Sequence, residues 1–202
     1  MELDASSFTF TISLAAVING LGIVRMLSGF AEYLRARRQL NVSHYWVFGL
    51  VAAFQFLLHI LLWWSLWNTR AAGTFNFLAY LYVLCGPIIL FLGTSLLLPN
   101  VEGREINLKI QYFHIRRSYF TVMAILWLWA IFVWPVLTGV FAPTVPVLTV
   151  FLAISLALRS TDHPTLHAAG ALGNWALLIA FVALYAMQLG EVGQAVSNSL
   201  AD

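Results

Sequence analysis

Long apolar stretches recur along the whole chain and limit what it can fold into. Six of them reach or approach the roughly 20 residues that a helix needs to cross about 30 Å of hydrocarbon. We place these spans at about residues 9–34, 45–67, 74–98, 119–140, 143–159 and 166–190. The pattern predicts an all-α integral membrane protein, a bundle of six transmembrane helices joined by short loops.

The composition favours a single membrane domain over residues 1–202. Hydrophobic residues make up 61% of the chain and charged residues only 9%, against about 25% charged residues in a typical soluble domain. The loops between the spans are too short to hold a soluble domain. Cys85 is the only cysteine, so neither an intrachain disulfide nor a thiolate metal cluster can form.

Basic residues in the loops predict the orientation, because cytoplasmic loops of membrane proteins carry an excess of Lys and Arg. With six spans, one side receives only Arg70, and the other receives Arg35, Arg37, Arg38, Arg104, Lys109, Arg116, Arg117 and Arg159. We therefore predict a multi-pass protein of the plasma membrane, of the bacterial inner-membrane type, with both termini outside the cytoplasm.

The longest loop contains a segment, residues 106–120, with an amphipathic helical pattern. Its apolar side is formed by Leu108, Tyr112, Ile115 and Tyr119, and its polar side by Lys109, His114, Arg116 and Arg117. One interpretation is an interfacial helix before the fourth span, with its basic side against anionic lipid headgroups. A plain positively charged loop is the alternative.

Arg25 interrupts the apolar stretch of the first span that runs from Ile12 to Leu34. A charge in hydrocarbon costs at least about 2.5 kcal/mol, so it is normally paired, extended to the interface or turned towards a polar interior. Gly22, Gly29 and Glu32 share its helical arc, which indicates close packing or a cavity beside it. Arg25 is therefore either a functional residue facing a polar interior or a side chain that reaches the interface and pairs with Glu32.

Polar residues near the middle of the first two spans form a second group of candidates. Asn19 and Gln55 lie at similar depth, so their amides could bond across the two helices. Gln55 and His59 are four residues apart, hence on one face of the second span. His59 could shuttle protons or could be a neutral residue held by a neighbour.

Two further spans carry residues that affect helix shape or packing. Pro87, in the third span, deprives the Val83 carbonyl of its usual donor and predicts a kink, either for shape alone or as a hinge. The sixth span carries a stripe of small residues, Ala169, Gly173, Ala176, Ala180 and Ala183. Such stripes are typical of surfaces where another helix approaches closely.

Several chemistries are disfavoured. The chain has no motif of a serine hydrolase, zinc protease, P-loop or dinucleotide-binding fold, so we expect no enzyme, no catalytic residue, no metal, no cofactor and no nucleic-acid partner. Haem would need paired histidines on two helices, and only His167 could pair with His44. The spans contain no Asp, which disfavours an ordinary ion-coupled pump.

Two classes of function remain. The first is a homo-oligomeric channel or facilitator for an ion or small solute, with a polar interior formed by Asn19, Arg25, Glu32, Gln55 and His59. The second is a non-transporting accessory or sensor protein that acts through lipid or protein contacts. The first class predicts a hydrated cavity that contains Arg25, and the second does not.

Overall fold

The structure, a computed structural model, describes residues 2–37, 41–72, 76–98 and 105–201. Within these ranges lie the helices α1 (Glu2–Ala36), α2 (Trp46–Leu66), α3 (Phe77–Leu97), α4 (Leu108–Thr138), α5 (Val145–Ser160), α6 (Pro164–Phe181) and α7 (Glu191–Ala201). A 3-10 helix, Trp67–Ala72, continues α2, and a π-helical turn, Val182–Ala186, continues α6. Two short strands, β1 (Asn41–Ser43) and β2 (Glu105–Asn107), pair in parallel.

Five of the described helical segments are long and apolar enough to cross a membrane. They are Ile12–Arg35, Trp46–Ala72, Phe77–Leu97, Leu108–Thr138 and Pro164–Ala186. This is the architecture of an all-α, multi-pass membrane protein, as the sequence predicts. The apolar helix α5 is shorter, at 16 residues, and the sequence-based spans did not include α7.

The links between helices gather at two ends of the bundle. The β1–β2 pairing brings the α1–α2 and α3–α4 links together. Arg116 Nε donates to the Thr161 carbonyl oxygen at 2.9 Å, which brings the α5–α6 link to the same end. At the opposite end of α2, the backbone amide of Gly193 in α7 donates to Asn68 Oδ1 at 3.1 Å.

The core lies between α2, α4, α5 and α6, with α3 packed between α1 and α4. Aromatic rings fill much of it: Trp127 of α4 stacks on Phe151 of α5 with ring centroids 4.5 Å apart. The Trp127 indole also donates to Ser155 Oγ at 3.1 Å. The N–H of a buried tryptophan usually finds a hydrogen-bond acceptor, and Ser155 supplies one here.

The amphipathic segment before the fourth span is not a separate interfacial helix. Asn107 caps α4 by accepting bonds from the amides of Lys109 and Ile110, both at 3.1 Å, and the helix then runs unbroken into the bundle. The predicted apolar side packs inward, with Tyr112 1% exposed. Arg116, which we assigned to the polar side, is also buried, because the α5–α6 link lies against it.

Pro87 lies buried inside α3, which continues through it from Phe77 to Leu97. Beside it, Gly86 packs against the Trp129 ring of α4 so closely that a Cβ atom would overlap the indole. The indole N–H donates to the Tyr82 carbonyl at 2.7 Å, and the Tyr82 hydroxyl donates to the Trp129 carbonyl at 3.1 Å. α3 is therefore fixed to α4 one turn before Pro87, and the hinge role stays a prediction.

The small-residue stripe of α6 is not its packing surface within the chain. Ala169, Ala176 and Ala183 are exposed, and a Cβ atom at Gly173 would meet only Ile154 Cδ1, at 3.8 Å. The residues of α6 that turn inward are His167, Ala171, Asn174 and Leu178. The helix is therefore rotated relative to the predicted orientation, and the residues of the stripe lie outside its buried face.

Candidate functional site

Asn19 and His59 form the first part of a polar network in the middle of the bundle. Asn19 Nδ2 donates to the carbonyl oxygen of His59 at 3.0 Å, and Asn19 Oδ1 lies 2.8 Å from His59 Nδ1. His59 therefore carries its proton on Nδ1 and donates it to Asn19, which leaves Nε2 as an acceptor. These two bonds join α1 to α2.

The network continues through Thr94 of α3 and Gln55 of α2. The Thr94 hydroxyl lies 2.8 Å from His59 Nε2 and serves as its donor. Gln55 Nε2 donates to Thr94 Oγ1 at 3.1 Å and to the Leu90 carbonyl at 3.0 Å. The hydroxyl of Tyr119 in α4 completes the set by donating to Gln55 Oε1 at 2.9 Å.

The predicted direct bond between Asn19 and Gln55 is replaced by a chain that passes through His59 and Thr94. These residues and Tyr119 are between 0% and 2% exposed, so the network is closed to its surroundings. Every polar side chain in it has at least one partner within the network. Buried polar groups that satisfy one another fix helix register, and this network fixes α1, α2, α3 and α4 together.

Arg25 and Glu32 lie apart from the network, on the exposed side of α1. The sequence places them on one helical arc with Gly22 and Gly29. In the structure only part of this arc is buried. The two glycines face the bundle, whereas Arg25 and Glu32 are exposed. Of the five residues predicted to line a polar interior, three meet and two do not join them.

Gly22 explains how α1 comes close enough to α2 for these bonds. A Cβ atom at Gly22 would overlap the His59 imidazole. The ring cannot turn aside without breaking its bonds to Asn19 and Thr94. Of the two interpretations of the glycines, close packing is therefore the one that the structure supports at this position.

A second polar cluster, which the sequence did not reveal, lies at the end of the bundle that holds the β1–β2 pair. His167 Nε2 donates to the Thr161 carbonyl at 3.0 Å, and the Tyr112 hydroxyl lies 2.9 Å from His167 Nδ1. Arg116 donates to the same carbonyl and forms an ion pair with Asp162. Arg116 and Asp162 could have been noticed in the sequence as charged residues, but no spacing indicates that Arg116 meets Thr161, which lies 45 positions further along the chain.

The histidines considered as haem ligands all have other partners. His59 and His167 use both ring nitrogens in the bonds above, and His44 Nδ1 lies 2.7 Å from the Tyr33 hydroxyl. Within the ranges that the structure describes, no group of three or more His, Cys, Asp or Glu side chains is arranged to hold a metal ion.

The largest cavity among those described lies between α1 and α2, at the end that holds the β1–β2 pair. Its volume is about 490 Å³, and its lining is almost entirely apolar. A smaller cavity of about 130 Å³ lies towards the opposite end, between α2, α4 and α5. Neither is lined by Asn19, Gln55 or His59.

No protein-family model, curated protein or solved structure matches this chain. Its function must therefore be inferred from its own residues.

Proposed function

We propose that this chain is a non-transporting membrane protein that acts through contacts with lipids or other membrane proteins. The observation that carries the proposal is the position of Arg25, exposed on the outer surface of α1 rather than turned into the bundle. A charge there needs a counter-charge, a hydrated headgroup or a polar partner. The surface around Arg25 is thus suited to contact other molecules in the bilayer.

The interior supports the same proposal. A conduit needs polar groups that are free to replace the hydration shell of a passing solute. Asn19, Gln55 and His59 instead bond to one another through Thr94, in a region that is 0% to 2% exposed. Opening a path there would break several buried hydrogen bonds at once.

The membrane topology proposed with this function has six crossings and both termini outside the cytoplasm of a bacterial-type plasma membrane. The bundle ends described above favour it, because they place the α1–α2, α3–α4 and α5–α6 links at one end. The basic residues Arg35, Arg37, Lys109 and Arg159 belong to that end. Reporter fusions after residue 37 and at each terminus test the topology, and a cytoplasmic carboxyl terminus would refute it.

A channel or facilitator formed by several copies is the second candidate. It is favoured by one observation: Arg25, Ser28, Glu32 and Arg35 are all exposed and fall on one face of α1. In a homo-oligomer these faces could surround a shared polar path. The two candidates share the same monomer structure. They differ in whether this face of α1 contacts other copies around a polar path or contacts lipids and other proteins.

Flux through liposomes separates them. We expect the reconstituted protein to pass ions and small polar solutes no faster than protein-free liposomes, and Arg25→Gln to leave this unchanged. Arg117→Gln is the matched control, because Arg117 is also exposed but lies near the start of α4. Flux that the wild type supports, and whose ion preference changes in Arg25→Gln but not in Arg117→Gln, would establish the channel instead.

A further inference from the structure

The cavity between α1 and α2 is an elongated apolar groove. We call it the α1–α2 groove; it is lined by Gly29 and Phe30 of α1, by Gly49, Ala53 and Phe56 of α2, and by Leu97 of α3, among others. Its rim residues face outward: Phe30 is 58% and Trp46 56% exposed. The groove is therefore open on the side that faces lipid in a membrane.

The length of the groove corresponds to one leaflet. Its lining residues on α2 run from Trp46 to Phe56, which is 10 steps along the helix, or about 15 Å at 1.5 Å per residue. Half of a hydrocarbon core of about 30 Å is about 15 Å. Because the groove follows α2, it extends from the headgroup level to the middle of the bilayer.

Its polar groups are confined to one end. Tyr33, near the end of α1, and His44, just before α2, meet at this end, where the Tyr33 hydroxyl and His44 Nδ1 are 2.7 Å apart. Arg37, four residues after Tyr33 and on the same face of α1, is exposed beyond them. Further into the bilayer the lining is small or apolar, as at Gly49, Ala52 and Ala53. This order, cationic and polar at one end and apolar along the rest, complements an anionic lipid.

The volume of the groove is that of a site for a small organic group. The groove holds about 490 Å³, and pockets that bind small organic molecules have volumes of about 300–1,000 Å³. The groove therefore has room for an acyl chain.

We propose that the α1–α2 groove binds one acyl chain of an anionic phospholipid from the leaflet on the side of Arg37, with the headgroup phosphate beside this arginine. The inference rests on the proposed function and specifies its lipid contact. The groove provides the apolar contact, and Arg37 provides the preference for negative charge.

The test uses two glycines with open space around them. A Cβ atom at either Gly49 or Gly20 meets nothing within 4 Å, so Gly49→Leu and Gly20→Leu can both fold, but only the first fills the groove. The detergent-purified protein is mixed with equimolar phosphatidylglycerol and phosphatidylcholine, and retained lipid is counted by native mass spectrometry. We expect the wild type and Gly20→Leu to retain one phosphatidylglycerol, and Gly49→Leu to lose affinity about tenfold, or about 1.4 kcal/mol.

A second pair of variants tests the charge. Arg37→Gln should remove the preference for phosphatidylglycerol, because the remaining apolar contact does not distinguish the two lipids, whereas Arg35→Gln, on the opposite face of α1, should keep it. Equal retention by Gly49→Leu and Gly20→Leu, or no headgroup preference in the wild type, would overturn the inference. A change in oligomeric mass in Gly49→Leu with unchanged lipid retention would also overturn it, in favour of a second copy. The liposome flux assay gives an independent result, so failure of the lipid site and failure of the proposed function are distinguishable.

Discussion

Asn19 and His59 lie 40 positions apart in the chain and are joined by two hydrogen bonds. Asn19 Oδ1 lies 2.8 Å from the imidazole Nδ1, and Asn19 Nδ2 donates to the His59 carbonyl at 3.0 Å. The pair fixes the imidazole so that its other nitrogen meets Thr94. It also anchors α1, much of whose surface is exposed.

Replacing Asn19 by leucine should destabilise the fold. His59 would lose an acceptor for its Nδ1 proton and a donor to its carbonyl, and leaving buried groups unpaired costs about 1–3 kcal/mol. Ser28→Leu on the exposed side of the same helix is the control and should have little effect. Unfolding in detergent measures both, and equal stability of the two variants would contradict the role of the pair.

Gln55 and Tyr119 should be energetically coupled. Tyr119→Phe leaves Gln55 Oε1 without its donor, and Gln55→Leu leaves the tyrosine hydroxyl without its acceptor. A double-mutant cycle should give a coupling of about 0.6–1.7 kcal/mol, the range for hydrogen bonds between membrane helices. Strict additivity of the two substitutions would show that this bond does not contribute.

Gly22→Ala should be far more damaging than Gly20→Ala. The new methyl group at position 22 would overlap the fixed His59 ring, whereas position 20 has open space. Overpacking costs about 1–3 kcal/mol, and alanine at an open helical position gains about 0.5–1 kcal/mol over glycine. Thermal unfolding of the two variants gives the comparison; a harmless Gly22→Ala would mean that α1 and α2 are not this close.

The rotation of α6 predicts the effect of substitutions there. From the small-residue stripe alone, Gly173→Leu would disrupt the bundle more than Leu178→Ala. The structure gives the opposite order, because Leu178 is 4% exposed and Gly173 has room beside it. Leu178→Ala should cost about 2–5 kcal/mol. A larger loss of stability in Gly173→Leu would favour the packing surface that the stripe indicated.

The positions of the helices could be predicted from the sequence because the apolar length that crosses a membrane is nearly fixed. That Asn19, Gln55 and His59 lie close together could also be predicted, because polar side chains at one depth in the bilayer have few partners other than one another. Thr94 and Tyr119 could not be identified, because threonine and tyrosine are ordinary residues in such helices and neither has a distinguishing spacing.

The side on which Arg25 lies could not be predicted either. A helical arc defines which residues are neighbours, but the packing of α1 on α2 and α3 decides where the buried surface ends. That edge falls between Gly22 and Arg25. The burial of Arg116 could not be predicted for a similar reason, because it depends on contact with the α5–α6 link, which is far away in the sequence.

The central claim is that Arg25 is outside a closed bundle and not in a water-filled path. It is tested by Arg25→Cys in a Cys85→Ala background, labelled in intact membranes with a charged maleimide that does not cross the bilayer, from each side in turn. Arg37→Cys, at the exposed end of α1, is the positive control. We expect position 37 to react from one side and position 25 to react from neither until detergent is added. Rapid labelling of position 25 in intact membranes would contradict the claim and establish a hydrated path beside α1.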